Sequence, residues 1–376
     1  MSPSATGFGS PGTLARPTLL LDPSKANGNI SRMVEKAKRS GVRLRPHFKT
    51  HQSADVGEWF REQGIVHITV SSVGMAKYFA DHGWRDITIA TLANTLELRE
   101  IDALAERVRL GLVFDCAEIV TVFEKSLSNC VAGWIEVDTG YGRTGIPASN
   151  HEAVERVARA IVGAQMIDPA GLITHAGQIY SAGSPSAVLE IHAREVELLD
   201  DVRRCLRKDI GGSLEVSIGD TPSCSLVEKL SGADEIRPGN FIFYDLQQSS
   251  IGACDLDEIA LSLACPVIGV YASRGQFAIY GGAAHLSKDS AVVQGKRVHG
   301  LATPLRTARW SIPSEWGFVE YVSQEVGIVS ASRTLLSTIS VGDVVGVLPA
   351  HACLTANLMR RFHLPDGGTA ECMPIR

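Results

Sequence analysis

At 376 residues the chain is too long for one ordinary core, although an α/β barrel can absorb about 250 of them as a single domain. A net charge of -5, from 36 Lys+Arg against 41 Asp+Glu with no block of like charge, leaves no electrostatic footprint for nucleic acid or an anionic membrane, so small polar substrates are the expected partners. Eight cysteines without a C-x-x-C pair or framework spacing argue for reduced thiols in a cytoplasm.

The first dozen residues, rich in Ser, Gly and Pro without a basic start or apolar run, read as a loose arm and not a signal peptide; the arm is taken to residue 20. A helix is expected over residues 24–39, then a strand over 42–45, a helix over about 53–63 and a strand over 67–71. Strands follow at 87–90, 108–114, 133–137, 171–174, 214–218 and 235–236, most separated by helical segments such as 152–160 and 187–207. Eight βα units call for a parallel sheet closed into a (β/α)8 barrel, here over residues 21–255. From residue 256 the period changes. Short β-rich runs at 267–271, 276–280, 319–322, 325–329 and 343–348 predict an all-β domain over 256–376. The most apolar late stretch, residues 259–272, is broken by Pro266 and too short to span a bilayer.

The chemistry centres on Arg45-Pro46-His47-Phe48-Lys49-Thr50-His51. Pro46 disfavours a helix, so Lys49 lies just past the C-terminal end of the first barrel strand, where barrels keep their active sites. Flanking His47, His51 and Arg45 can be positive, which would lower the lysine's pKa and free its amine to form an imine; a solvated basic loop is the alternative. Further polar residues follow later strands: Asp138, Tyr141 and Arg143; His175, Gln178 and Tyr180; Gly219, Asp220, Thr221 and Ser223; Arg237, Gly239 and Asn240. Singly, Asp138-Thr139-Gly140 reads as a turn and His175 as a core histidine; together they would share one rim. The last two loops, rich in free N–H groups, stand where barrels bind phosphate. A reactive lysine after the first strand and a phosphate cradle after the last two imply pyridoxal 5′-phosphate.

The ordered motifs R-P-H-F-K-T-H, D-T-G-Y-G-R-T-G, H-A-G-Q-I-Y, S-I-G-D-T-P-S, E-I-R-P-G-N-F and P-A-H-A-C give the chain a resemblance to the fold type III, alanine racemase-like pyridoxal-phosphate enzymes, in the D-serine dehydratase and D-threonine aldolase branch. The resemblance implies that Lys49 forms the imine and acts as the α-proton base, that Arg143 approaches the cofactor's phenolic oxygen, and that His175 lies against or near its ring. Gln178 and Tyr180 would fix the ring or substrate, and Thr221, Gly239 and Asn240 the phosphate. Arg237 falls where racemases place an arginine near the pyridine nitrogen, but the Pro-Gly-Asn after it departs from their pattern.

In His351-Ala352-Cys353 both side chains are expected on one side of an extended strand, a borderline-soft pair suited to Zn²⁺, with Mn, Co or Mg as other ions; a buried pair that meets no metal is the alternative. The resemblance implies a metal pair here, His with Cys in dehydratases and His with Asp in the aldolases. Cysteine thus favours elimination: a dehydratase of β-hydroxy D-amino acids, with D-threo-3-hydroxyaspartate or D-serine as substrate. The alternatives are an aldolase and a non-catalytic pyridoxal-phosphate carrier, which lacks such a β domain and metal pair. The resemblance implies a homodimer.

Overall fold

Apolar runs separated by helical periodicity become parallel strands in the computed structural model, which describes residues 14–210, 214–306, 310, 313 and 315–374. Two compact units result, one from Arg32–Lys49, Gly57–Gly239 and Pro374–Arg376, the other from Met1–Ser31, Thr50–Val56 and Asn240–Met373. Of the arm expected over residues 1–20, residues 1–13 lie outside the described residues, and Thr18–Leu21 is a strand (β1) of the second unit.

The barrel unit contains Arg43–Leu44 (β2), His67–Val70 (β3), Asp86–Leu92 (β4), Arg109–Phe114 (β5), Val131–Asp138 (β6), the short Ile146–Pro147 (β7) beside it, Ile167–Ile173 (β8), Glu215–Ile218 (β9) and Glu235–Ile236 (β10). The parallel order is β2-β10-β9-β8-β6-β5-β4-β3. The two edges meet where His47 bridges Thr69: the Phe48 N–H donates to the Thr69 carbonyl and the Thr69 N–H to the Pro46 carbonyl, each at 2.9 Å. All eight expected barrel strands are present, and helices His151–Val162 and Pro185–Ile210 stand where the 3.6-residue period placed them. Strands covered by helices outside and side chains inside are buried on both faces, hence the unbroken apolar reading of β5, whose Leu112, Val113 and Phe114 are all buried.

An ion network crosses the strand starts. Glu235, fully buried, accepts through Oε2 from Arg43 Nε and Arg45 Nε, both at 2.7 Å, and through Oε1 from Ser217 Oγ at 2.7 Å. Arg45 Nη1 also reaches Asp86 Oδ1 at 2.5 Å. A buried carboxylate is tolerated only when paired and bonded in this way.

The second unit adds Leu261–Tyr271 (β11), Gln276–Tyr280 (β12), Ala291–Val293 (β13), Lys296–Val298 (β14), Gly300–Pro304 (β15), Gly317–Val322 (β16), Val326–Ser330 (β17), Val344–Pro349 (β18), Arg361–His363 (β19) and Thr369–Glu371 (β20). One sheet runs β12-β17-β16-β15-β18-β11-β1-β19-β20, and β12 also pairs with β11, so six strands close into a ring; β13 and β14 form a separate hairpin. Phe277, Ile279, Val319, Val329, Val345 and Val347 fill it. Strand β1 is an interior strand, antiparallel to β11 and parallel to β19. Among the described residues no helix is long and apolar enough to cross a membrane.

Candidate active site

Lys49 is exposed in the turn that follows β2. Its neighbour Phe48 fixes that turn, buried against Phe60, Phe79 and Trp84 with ring centroids 5.1, 4.9 and 5.0 Å away. The His47 N–H donates to the Pro238 carbonyl at 2.9 Å, tying the turn to the segment after β10. The charges expected around Lys49 are distributed differently. Arg45 faces Glu235 and Asp86 in the ion network, and burial pushes His51 down to about 3, so His51 is neutral. His47 is held well below its ordinary value by burial, then by Lys49, Arg237, His175 and Arg143. The cations grouped with Lys49 are therefore Arg143 and Arg237, not the residues beside it in sequence.

His175 follows β8 and is pushed down to about 3 by burial, then by Lys49 and Arg143. Its Nδ1 lies 3.3 Å from the Gly219 carbonyl, which can only accept, so the proton sits on Nδ1 and Nε2 keeps its lone pair. Tyr141 stands edge-on to it at 5.9 Å, Tyr180 lies at 6.1 Å, and the Arg143 guanidinium lies 5.5 Å from the Tyr141 ring. Asp138 serves as the turn residue: its Oδ1 accepts from the N–H groups of Gly140, Tyr141 and Gly142. Gln178 Nε2 reaches the Thr139 carbonyl at 3.5 Å, while its buried Oε1 has no hydrogen-bond partner among the described residues. Arg237, buried, donates from Nη1 to Ser217 Oγ at 2.6 Å and from Nη2 to the Thr174 carbonyl.

Gly219 takes φ +144°, and a Cβ there would stand 2.6 Å from the Arg237 nitrogen, so only glycine lets the two strand ends lie this close. Asp220 turns inward, where its Oδ1 accepts from the Ser223 N–H at 2.7 Å. Burial, then the charge of buried Glu195, pushes its carboxyl up to about 7. Thr221 is fully buried and Gly239 half-buried. Asn240 opens the second unit, and its side-chain amide is engaged there, donating to Asp245 Oδ2 at 2.6 Å and to Cys353 Sγ at 3.5 Å; a phosphate could meet only its main chain.

His351 and Cys353 are not on an extended strand. Strand β18 ends at Pro349, His351 is the N-cap of the helix Ala352–Met359, and Cys353 lies in its first turn. Their side chains still act on each other, each shifting the other's titration. Burial alone would raise the Cys353 thiol, but His351 and then Thr50 hold it below its ordinary value; burial likewise opposes charge on His351, which Cys353, Asp245 and Asp289 raise to about 10. Each group thus favours the charged form of the other. Asp289 Oδ2 bonds His351 Nδ1, leaving Nε2 for a metal, the carboxylate-histidine arrangement that orients metal ligands. Among the described residues no group of three or more His, Cys, Asp or Glu side chains is placed to hold an ion, so this is a two-ligand set.

Two family models match in the same order as the two folds: "Alanine racemase, N-terminal domain" over residues 21–247 and "Putative serine dehydratase domain" over 260–364. The chain belongs to this alanine racemase-like family. Among its relatives, the D-threo-3-hydroxyaspartate dehydratase of Delftia sp. (strain HT23) is 30% identical, over 91% of this chain and 92% of that protein. The D-serine dehydratase of Dictyostelium discoideum is 27% identical over 93% of each. A solved structure of D-threo-3-hydroxyaspartate dehydratase, a cysteine-to-alanine variant in the metal-free form, superposes with a TM-score of 0.88 at 26% identity, covering 97% of this chain and 99% of that one.

Membership of the alanine racemase-like family implies pyridoxal 5′-phosphate, and the barrel rim fits it. An accessible lysine can hold an aldehyde and two arginines suit an anionic cofactor, while the neutral His175 ring and the Gln178 amide oxygen, which has no partner among the described residues, offer an uncharged face and an acceptor. The Cys353 sulfur, whose ionised form His351 and Thr50 favour, and the His351 ring oriented by Asp289 likewise fit a divalent ion. Sequence reasoning missed Asp245 and Asp289. Asp245 did carry a signal, since an apolar run ending in Asp with Gln248 three residues on is a helix-start pattern; Asp289, in a loop without period, carried none.

Proposed function

We propose that this chain is a pyridoxal-phosphate- and divalent-metal-dependent dehydratase of β-hydroxy D-amino acids. D-threo-3-hydroxyaspartate, giving oxaloacetate and ammonia, is placed first, and D-serine, giving pyruvate and ammonia, second. The observation that carries the reading is the His351–Cys353 pair backed by Asp289, in a chain whose relatives include dehydratases. That a cysteine-to-alanine variant of a related dehydratase is described as metal-free supports a metal in the native form of that relative.

When bound, pyridoxal 5′-phosphate supplies a conjugated sink for α-carbanion charge and a divalent ion supplies Lewis acidity at the β-oxygen, which makes hydroxide able to leave. Lys49 would tether the cofactor through Nζ, and the same Nζ would serve as the base for the substrate's α-proton. Arg143 would be the cation for the phenolic oxygen, and His175, kept neutral by burial, would add no competing positive charge near the cofactor. Gln178 and Tyr180 would orient ring or substrate, with Thr221, Gly239 and the Asn240 main chain assigned to the phosphate. His351 and Cys353 would hold the ion and, as borderline-soft donors, favour zinc over Mn, Co or Mg.

The test is 2-oxo acid release from D-threo-3-hydroxyaspartate, D-serine and D-threonine, with and without chelator. Release is expected to stop on chelation, and in Cys353→Ala, while the cofactor's visible absorbance persists, and to return with zinc. Glycine plus an aldehyde as the main products would make the chain an aldolase; turnover indifferent to chelator would remove the metal. We also propose a homodimer, which a monomeric sedimentation mass at full activity would refute.

A further inference from the structure

Asp245 is fully buried, and both its oxygens are occupied. Oδ1 accepts from the Gln248 N–H at 3.0 Å, capping the helix Leu246–Ile251. Oδ2 accepts twice, from the Asn240 side-chain amide at 2.6 Å and from the Ala352 N–H at 2.9 Å. Ala352 lies between His351 and Cys353, so one carboxylate grips the backbone that carries both.

The same Asn240 amide stands 3.5 Å from Cys353 Sγ. Its orientation is fixed by charge: a flip would turn Oδ1, which has no hydrogen-bond partner among the described residues, against the Asp245 carboxylate and the Cys353 sulfur. A primary amide has two N–H bonds, one for each anion. Thr50 Oγ1, also 3.5 Å from the sulfur, is a second hydrogen-bonding neighbour.

We propose that Asn240 and Asp245 are positioning residues of the metal centre, Asp245 clamping the Asn240 amide so that it donates to the Cys353 sulfur. This rests on the reading of His351 and Cys353 as metal ligands. An N–H bond to a thiolate withdraws electron density from sulfur, so the ion it binds stays more Lewis-acidic and the sulfur points in one direction. The sequence placed Asn240 at the phosphate; its side chain serves the metal ligand instead.

The experiment uses cobalt(II) in place of the native ion, in the holoenzyme, and reads the sulfur-to-cobalt charge-transfer band in the difference spectrum between loaded and metal-free protein. Loss of a donor makes sulfur easier to oxidise, so Asn240→Ala should move the band to longer wavelength, and cobalt affinity measured by chelator competition should fall about 10–100-fold. Thr50→Val calibrates the shift, since it removes the other neighbour of the sulfur and leaves Asp245 untouched. Asp245→Asn should shift the band in the same sense; if that variant does not fold, Asn240→Ala still decides. A wild-type band in Asn240→Ala, alongside a shift in Thr50→Val, overturns the proposal while leaving Cys353 a ligand. Cobalt uptake without any charge-transfer band in the wild type overturns the ligand reading itself, and the proposal with it.

Discussion

Replacing Glu235 by Gln keeps the shape of the side chain and deletes the charge that Arg43 and Arg45 share. Burial by itself would raise this carboxyl's pKa, yet Arg45 and Arg43 hold it down, from 4.5 to about 2. The folded value lies below the unfolded one, so the stabilisation is complete well above pH 4.5 and drains away as the pH falls toward 2. That difference is worth about 3 kcal/mol at pH 7 and about 2 kcal/mol at pH 3.5. Removing one partner of a buried pair leaves the other uncompensated, which puts the total cost of Glu235→Gln at about 3–5 kcal/mol at neutral pH. Urea unfolding of both proteins at pH 7, 4.5 and 3.5 measures it. The gap between wild type and variant should narrow by about 1 kcal/mol between the extremes. A gap below about 1 kcal/mol at pH 7, the value of an exposed ion pair, or one that does not change with pH, would refute the reasoning.

Lys49→Ala should abolish covalent retention of the cofactor: borohydride reduction of the wild type should fix it on the peptide containing Lys49, and fixation on another lysine would displace Lys49 from its role. Gly219→Ala sets a methyl 2.6 Å from the Arg237 nitrogen at φ +144°, whereas Gly41→Ala, at φ +71°, meets nothing within 4 Å. Gly41→Ala should cost about 1–2 kcal/mol of backbone strain. Gly219→Ala should cost clearly more in thermal unfolding and weaken cofactor binding; equal losses in the two variants would show that the close approach of the two strand ends has no energetic weight.

The barrel was legible because each parallel strand, covered on both faces, is a short apolar run, and each helix between them keeps its 3.6-residue period. Lys49 could be placed past the first strand because Pro46 stops a helix there. What surrounds it was not legible. Chain neighbours Arg45 and His51 suggested its charge environment, whereas strand alternation sends Arg45 with Arg43 to Glu235, and the cations near Lys49 come from residues about 95 and 190 positions away. The His351-Ala352-Cys353 pair was found by residue type and misplaced in conformation, because the apolar run of β18 masks the helix that begins at Ala352. Strands β13, β14, β15, β19 and β20 went unread, being short and without alternation, and nothing local marks Thr18–Leu21 as the partner of Leu261–Ala264.

The place of β1 reverses the order of synthesis. Thr18 pairs with Ala264, so at about 5–20 residues per second the ribosome takes about 10–50 s to supply the partner of β1. Over that interval the run Thr18-Leu19-Leu20-Leu21 has neither of its sheet neighbours, while every strand of the barrel emerges ahead of β11. An unpaired apolar strand is the kind of edge on which nascent chains associate. Among the described strands, β1 is thus the earliest made and among the last to be paired, and a folding route that completes the barrel early leaves it as a segment to be shielded.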